Sequence, residues 1–595
     1  MQTQTLVDKD AVEKTSPSIR WHFLLPFVLL LGMMCAIFVV DAVLPLRGLG
    51  FSDALLTHFG SWPLLPTHLL FPNHAVFTLQ PPSVRASIPA AFAPLSKSVL
   101  PFLFVVLLSI FLLYLLAIRF LPRSVTHRFI LGSTLLLGLL YALTPVVTSQ
   151  DLFLYIGYAR MSVIYHLNPL ATPLTAIHAD PAYRYIYWLW SKQASIYGPT
   201  WAIATGALQW LALVFGFKSV STMVLLLRFF CLGMHLCSTY LIWLISGRLQ
   251  KTHGFISPRL RTQATLAFAW NPLLLLEACV NAHSDTMLLV FVLLALLVLV
   301  STKRVTLQAG VGAAVMFALA TCLKVNIALF VPGLLLFLWT QHPRDRQRLV
   351  AVAAALIAYV GTTGLFYAPF WQHGAVLQVF QTNPATYGYV NSLFEVVGRL
   401  YIGLRLEHGY STALSSAMSQ RYALLSHKVG SVLFIVVYGC LCAQALYASR
   451  RKYTLSHLIR WMVVVWLLYC LIGSPWFWPW YLITFFGLFA LIEATSVDNT
   501  EKHHSFNLLR LPLAVRLLTF SMLSLYCFSA WWPLLKFVPG LPGFHWSYFS
   551  GLWVWLLPLL AVRWHSIPPL VQQWRVLYKL FLMRMKVKVP TTQQV

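Results

Sequence analysis

The chain has 595 residues, of which 59% are hydrophobic and only 10% are charged, and its formal net charge is +27. Because about a quarter of the residues of a soluble globular protein are charged, this composition excludes an ordinary soluble domain. The basic residues are scattered between apolar runs rather than gathered on one surface, which argues against nucleic acid as a partner and favours membrane orientation. The nine cysteines show neither a disulfide framework nor a zinc spacing.

Apolar runs of bilayer-spanning length recur along the chain, and they predict an all-α polytopic membrane protein of about fourteen transmembrane helices. A short tail, 1–20, precedes a first span that is too long for the apolar core of a signal peptide. With the basic short loops placed in the cytoplasm, the predicted spans are 21–43, 99–121, 129–147, 220–246, 264–280, 285–302, 306–322, 325–340, 349–369, 429–449, 456–473, 479–495, 510–530 and 549–563.

This path places both termini in the cytoplasm and divides the chain into a transmembrane region over 21–495, C-terminal transmembrane helices over 496–563 and a basic tail over 564–595, which we expect to rest on membrane lipid. Three longer loops would face outward: 44–98, 148–219 and 370–428. The charge rule holds only if 199–214 does not cross the membrane. We therefore predict an interfacial or re-entrant helix there, opened by Pro199.

The outward stretch 144–200 begins where an apolar span gives way to a polar loop. With Ser149 as a plausible N-cap, a helix that starts just after it would place Asp151, Tyr155 and Tyr158 on one face. By residue type alone, Asp151 is better explained as a first-turn residue favoured by the helix dipole. The rest of the outward surface decides between these two interpretations.

A second outward cluster lies in the stretch 269–285. Glu277 falls inside an apolar run, which then breaks into Asn281, His283 and Asp285. Polar residues at a tight turn can be ordinary helix caps, but a carboxylate within a membrane span is costly and indicates function.

Three further residues have two interpretations each. Lys324, in a short outer turn, either reaches lipid headgroups or meets a phosphate. Arg228, within a span, either binds a lipid phosphate or pairs with a structural carboxylate. Trp480, in the aromatic run 475–481, belongs either to the interfacial belt or to a sugar-stacking surface. Together these residues indicate chemistry on a polar group attached to a membrane lipid.

Five motifs occur in order over residues 129–490, and through them the chain resembles the GT-C superfamily of polytopic glycosyltransferases. It is most similar to the bacterial polyprenyl-phosphate-mannose-dependent α-1,6-mannosyltransferases. The family's His-Asn-Asp turn is matched by His283 and Asp285, with Ser284 where Asn is usual. The motifs are SQDLFLYIGYAR with HLNPL (149–170), IYGPTW (196–201), WNPLLLLEACVNAHSDTM (270–287), LKVN (323–326) and PWY (479–481).

The resemblance implies a GT-C-like catalytic region over 21–495 with Asp151 as the general base on the acceptor hydroxyl. The donor would be a polyprenyl-phosphate sugar whose phosphate meets Lys324 and Arg228. The acceptor would be a glycolipid or glycan on the extracytoplasmic face of a bacterial plasma membrane. Further substrate-binding candidates are His283, Asp285, Glu277, Tyr155, Tyr158, Tyr197 and Trp480.

No cofactor and no metal ligand is predicted, and a divalent metal requirement and the oligomeric state stay open. Direct displacement would invert the anomeric centre. The alternatives are a transporter or flippase of lipid-linked sugars, which internal repeats and midplane polar residues would favour, and a GT-C enzyme with glucosyl or arabinosyl donors.

Overall fold

The computed structural model describes residues 18–46, 64–73, 93–186, 188–300, 305–383, 385, 390–406, 412–449, 453–474, 476–496, 510–531 and 550–561. Within these ranges all regular structure is helical, which confirms the predicted all-α class, and an isolated bridge pairs Val390 with Trp476. The predicted tails 1–20 and 564–595 and the loop 44–98 lie wholly or mostly outside the described residues.

Helices joined by turns and loops make up most of the described chain. In chain order, the α-helices are α1 Ser18–Val43, α2 Leu65–Leu70, α3 Ala93–Phe120, α4 His127–Ala142, α5 Asp151–Val163, α6 Trp188–Ser191, α7 Pro199–Val214, α8 Val220–Thr252, α9 Pro258–Ala269, α10 Pro272–Cys279, α11 Asp285–Val300, α12 Leu307–Thr321, α13 Val331–Gln341, α14 Asp345–Tyr367, α15 Val379–Thr382, α16 Leu393–Leu406, α17 Thr412–Ser449, α18 Leu455–Leu468, α19 Leu482–Ala494, α20 Arg510–Trp531 and α21 Ser550–Leu560.

Six helical segments of the described chain are long and apolar enough to cross a membrane: Leu24–Val43, Pro101–Arg123, Val220–Thr252, Asp345–Phe370, Gln420–Tyr447 and Leu455–Gly473. Seven shorter apolar segments have 10–17 residues: His127–Ala142, Asp285–Val300, Leu307–Thr321, Val325–Gln341, Pro479–Ala494, Pro512–Cys527 and Ser550–Leu560. These helices indicate a membrane protein, but the predicted count of fourteen spans is not confirmed.

The predicted span 264–280 is instead two helices, α9 and α10, separated at Trp270 and Asn271. The Asn271 side chain accepts hydrogen bonds from the N–H groups of Leu273 and Leu274 at 3.1 and 3.3 Å, and Pro272 follows as the first helical residue. This local cap starts a new helix of eight residues, only about 12 Å long by helical rise and too short to span a bilayer.

The predicted helix at 199–214 is confirmed as α7, which begins at Pro199. It packs against α5 and α8, so that the outward stretch predicted around α5 is covered by helix rather than left as an open loop. Its placement relative to the membrane stays a prediction.

The helix bundle has two chemically different ends. At one end, which we call the carboxylate end, the connections before α5, before α7, between α10 and α11, after α12 and before α19 meet. It carries six of the eight acidic residues of the described chain: Asp41, Asp151, Asp180, Glu277, Asp285 and Glu395.

The opposite end, which we call the basic end, joins the other termini of these helices. Gln250 donates to the Ala494 carbonyl at 2.7 Å, which joins α8 to α19. Gln341 donates to the Tyr453 carbonyl at 2.8 Å, which joins α13 to the segment just before α18. The lysines and arginines at or near this end include Arg119, Arg123, Arg128, Arg248, Lys251, Arg259, Arg261, Arg344, Arg346, Arg348, Arg460 and Arg516.

Candidate active site

Asp151 is the first residue of α5, as the sequence predicts. The predicted cap differs in detail: Gln150 occupies the N-cap position, and Ser149 Oγ accepts a long hydrogen bond of 3.4 Å from the Asp151 N–H. The Asp151 carboxylate accepts a hydrogen bond of 2.7 Å from the Tyr197 hydroxyl, and 16% of the side chain is exposed.

Tyr197 reaches Asp151 from a loop that is docked on the turn preceding Lys324. The Gly198 N–H donates to the Leu323 carbonyl at 3.1 Å, and a Cβ atom at Gly198 would lie 2.1 Å from the Cys322 carbonyl oxygen. Only glycine permits this approach of two backbones. The docking therefore couples the hydrogen-bond donor of Asp151 to the position of Lys324.

Tyr155 lies at the centre of the site, whereas Tyr158 lies at its side. The Tyr155 ring packs edge-on against Tyr197 and Trp201, with centroids 4.8 and 5.0 Å away. The Tyr158 hydroxyl instead donates to the Gln193 carbonyl at 3.0 Å, which anchors the loop that leads to Tyr197.

The ionisation of Tyr197 is controlled by its surroundings. Burial, reinforced by the negative charge of Asp151, raises the pKa of Tyr197 well above its ordinary value. The phenol therefore stays neutral and remains a hydrogen-bond donor to the carboxylate.

A strained turn joins α10 to α11 and, with the first residue of α11, carries four buried polar side chains, one of which is Ser284. Ala282 has a φ of 51°, an uncommon left-handed conformation for a residue with a side chain. The His283 N–H closes the turn on the Glu277 carbonyl at 3.0 Å. Asn281, His283 and Asp285 thereby enter the carboxylate end from one short segment.

The imidazole of His283 lies between two carboxylates. Its Nδ1 atom is 3.9 Å from Asp151 Oδ2 and 3.3 Å from the Tyr155 hydroxyl, and its Nε2 atom approaches Glu277 Oε2 to 3.2 Å. The last contact is close, but its geometry is not that of a hydrogen bond. The ring stacks on Trp480 with centroids 4.0 Å apart, which fixes its plane.

Lys324 and Asp285 form a close ion pair. Lys324 Nζ is 2.6 Å from Asp285 Oδ2, and the side chains are 12% and 0% exposed. The ammonium group also faces the Tyr481 ring at 5.0 Å and the Tyr197 ring at 5.8 Å. The cation is thus held beside the Tyr481 and Tyr197 rings with part of its surface accessible.

Arg228 is placed differently from Lys324. Its guanidinium is buried and donates to the carbonyl oxygens of Val280, Ala142, Thr144 and Val146 at 2.8, 3.1, 2.5 and 2.8 Å. A phosphate would have to displace these backbone bonds. The geometry therefore favours a structural role for Arg228, which joins the chain before α5 to the turn after α10.

The arrangement brings together most of the predicted site residues: Asp151, Tyr155, Tyr197, Glu277, His283, Asp285, Lys324 and Trp480. Sequence reasoning missed the specific roles of Tyr481, Thr148 and Tyr526. The PWY motif pointed toward Tyr481, but no local signal marked Tyr526, which meets Glu277 across 249 positions of sequence. Within the described residues no group of three or more His, Cys, Asp or Glu side chains is arranged to hold a metal ion.

Comparison with known proteins gives an independent result. Residues 73–341 match a family model described as "Alpha-(1->6)-mannopyranosyltransferase, N-terminal domain". This range contains Asp151, Tyr197, Glu277, His283 and Lys324. No curated protein matches the chain. The family match confirms the resemblance to GT-C mannosyltransferases, and we conclude that this helical, membrane-type protein is a mannosyltransferase.

Proposed function

We propose that the protein transfers a mannosyl unit from a polyprenyl-phosphate sugar to a lipid-linked or glycan acceptor, with inversion at the anomeric carbon. In this proposal the carboxylate end faces the extracytoplasmic side of a bacterial plasma membrane, because the basic end has the charge typical of cytoplasmic loops. Asp151 is the general base, and Lys324 contacts the donor phosphate.

The observation that carries the proposal is a difference in access among three neighbouring carboxylates. Asp151 is 16% exposed, whereas the side chains of Glu277 and Asp285 are fully buried. Of these three groups, Asp151 alone can meet a hydroxyl that enters from outside. A base must come within hydrogen-bond reach of the proton that it takes.

The proposed reaction needs few protein groups, because a lipid-phosphate sugar carries its own leaving group. The Asp151 carboxylate takes the proton of the acceptor hydroxyl as the acceptor oxygen bonds to the anomeric carbon. The bond from that carbon to the phosphate oxygen breaks, and polyprenyl phosphate leaves. The Lys324 ammonium stabilises the negative charge of the departing phosphate, and the Asp285 carboxylate holds this ammonium in place.

The remaining candidates have supporting roles in this proposal. Trp480 stacks on His283 and holds its ring in place, and Tyr481 borders the Lys324 ammonium. Tyr155 packs edge-on against Tyr197. Tyr158 positions the loop of Tyr197, and Arg228 holds the backbone before α5. Each role follows from the contacts that the side chain makes.

The test uses the purified full-length protein in lipid vesicles with radiolabelled polyprenyl-phosphate mannose and an acceptor glycolipid extract. We expect Asp151→Asn to lower the transfer rate by about 10²–10⁴-fold, the usual contribution of a general base. The matched control is Asp345→Asn, because the Asp345 side chain is 82% exposed at the basic end. Normal transfer by a folded Asp151→Asn protein would show that the base is assigned wrongly.

The donor is tested in the same vesicles with polyprenyl-phosphate glucose and polyprenyl-phosphate arabinose. We expect transfer from the mannose donor only. A product with retained anomeric configuration, or a preference for another donor, would contradict the proposed reaction while leaving the site intact.

A further inference from the structure

A buried polar network joins the C-terminal helix α20 to the carboxylate cluster. The Tyr526 hydroxyl donates to Glu277 Oε1, and Asn281 Nδ2 donates to Glu277 Oε2 at 3.0 Å. The Asn281 amide is also 3.4 Å from the Tyr526 oxygen. Each oxygen of the fully buried Glu277 carboxylate thus has its own donor, and the donor on Oε1 comes from α20.

Two routes lead from this carboxylate to Asp151. In the first, Glu277 approaches His283 Nε2 at 3.2 Å, and Nδ1 of the same ring is 3.9 Å from Asp151 Oδ2. In the second, Asn281 Oδ1 accepts from the backbone N–H and the hydroxyl of Thr148 at 3.1 and 2.8 Å. Thr148 lies three residues before Asp151. The network therefore positions both His283, which neighbours the Asp151 side chain, and the backbone that leads to Asp151.

We infer that Tyr526 is a positioning residue for glycosyl transfer: its hydroxyl fixes Glu277, and Glu277 with Asn281 fixes His283 and the chain leading to Asp151. The inference rests on the proposed function, since it concerns the orientation of the same base. A buried carboxylate that loses a donor is free to rotate or to take another partner, because an unsatisfied buried charge is costly.

The network joins the part of the chain that matches the family to a helix that lies outside that match. The family match ends at residue 341, whereas Tyr526 lies on α20, which packs against α10. The segment that matches the family therefore lacks one of the groups that orient its own carboxylates. In this view α20 completes the active site of the N-terminal domain.

The experiment compares Tyr526→Phe with Tyr114→Phe in the full-length protein in lipid vesicles. Tyr114 is a matched control, because its hydroxyl also donates to a buried acceptor, the Ala267 carbonyl at 2.7 Å, which lies away from the site. We expect Tyr526→Phe to lower kcat by about tenfold, the loss of one hydrogen bond to a charged group, with KM for the donor unchanged. Tyr114→Phe is expected to keep the kcat of the wild type.

A double-variant cycle shows whether Tyr526 acts through Glu277. If it does, Glu277→Gln combined with Tyr526→Phe has the kcat of Glu277→Gln alone, since the hydroxyl no longer has a charged partner to fix. Additive losses would overturn the inference, as would an unchanged kcat in the single Tyr526→Phe variant. If Tyr526→Phe lowers the thermal unfolding temperature, Thr148→Val tests the same network from its other side, and an unchanged kcat there also overturns the inference.

These results separate the two proposals. Inactive Asp151→Asn with normal Tyr526→Phe would leave the proposed base in place and remove the positioning role. Active Asp151→Asn would instead remove the proposed base, whatever Tyr526→Phe does.

Discussion

The carboxylate end and the basic end of the bundle hold their charges in opposite ways. At the carboxylate end, Asp285 with Lys324 and Asp180 with Arg160 are ion pairs whose side chains are at most 12% exposed. At the basic end, Asp345 is 82% exposed and pairs with Arg348 only three residues away. Buried charges lose hydration and depend on their partners, whereas exposed charges keep their water.

The two ends therefore differ in how far they depend on exact geometry. Loops at the carboxylate end are fixed by side chains that are distant in sequence, as Arg228 and Asn281 show. The lysines and arginines of the basic end can orient the chain in a membrane through their number alone, without exact positions. One pair departs from this division, since Arg516 and Glu493 are buried between α20 and α19 near the basic end and join those two helices.

The largest effect that tests the difference between the two ends is expected from a substitution of Arg228. We expect Arg228→Met to lower the free energy of unfolding by about 3 kcal/mol, because buried backbone carbonyls lose their donor. The measurement is thermal unfolding in detergent. Arg248→Met on the same helix, at an exposed position of the basic end, is the matched control and should change stability little. Equal effects of the two substitutions would remove the distinction between the ends.

A smaller effect is expected at Tyr197. Tyr197→Phe removes the hydrogen bond to Asp151 and should lower kcat by roughly tenfold. Because the pKa of Tyr197 is raised by burial, its neutral form persists as pH rises through the ordinary tyrosine value of about 10. The loss should therefore be the same factor at every pH below about 10.

The pH profile of transfer for the wild type and for Tyr197→Phe checks this expectation. Tyr165→Phe is the control, because Tyr165 donates to Asp180 at 3.0 Å in a similar tyrosine–carboxylate pair away from the site. A wild-type rate that falls to the rate of Tyr197→Phe between neutral pH and about pH 9 would mean that the tyrosine ionises and that burial does not protect it.

The smallest effect is expected at the basic end. Arg348→Gln breaks an exposed i,i+3 pair with Asp345 and should change the free energy of unfolding by less than about 1 kcal/mol, with transfer unaffected. Thermal unfolding and the transfer assay measure both. A loss of activity comparable to that of Tyr197→Phe would show that the basic end takes part in catalysis.

Sequence reasoning predicted the helical class, the start of α5 and α7, and a cluster around Asp151, His283 and Lys324. These features come from local patterns: apolar runs, a proline at a helix start and short motifs. It treated 264–280 as one continuous span, although Asn271 and Pro272 within this run form a local helix-start signal that divides it into two helices. It could not decide whether Arg228 binds a lipid phosphate or pairs with a structural carboxylate, because the sequence does not show the partners of a buried arginine.

The sequence by itself determined that this is a helical membrane protein and which motifs make it similar to mannosyltransferases, because hydropathy and motif spacing are properties of neighbouring residues. Only the tertiary structure decided that the Arg228 donors go to backbone carbonyls, that His283 lies between two carboxylates and that Tyr526 reaches Glu277. The contacts of Arg228 and Tyr526 join residues that are 52 to 249 positions apart. Their choice depends on how the helices pack, and packing is set by the whole chain rather than by any one segment.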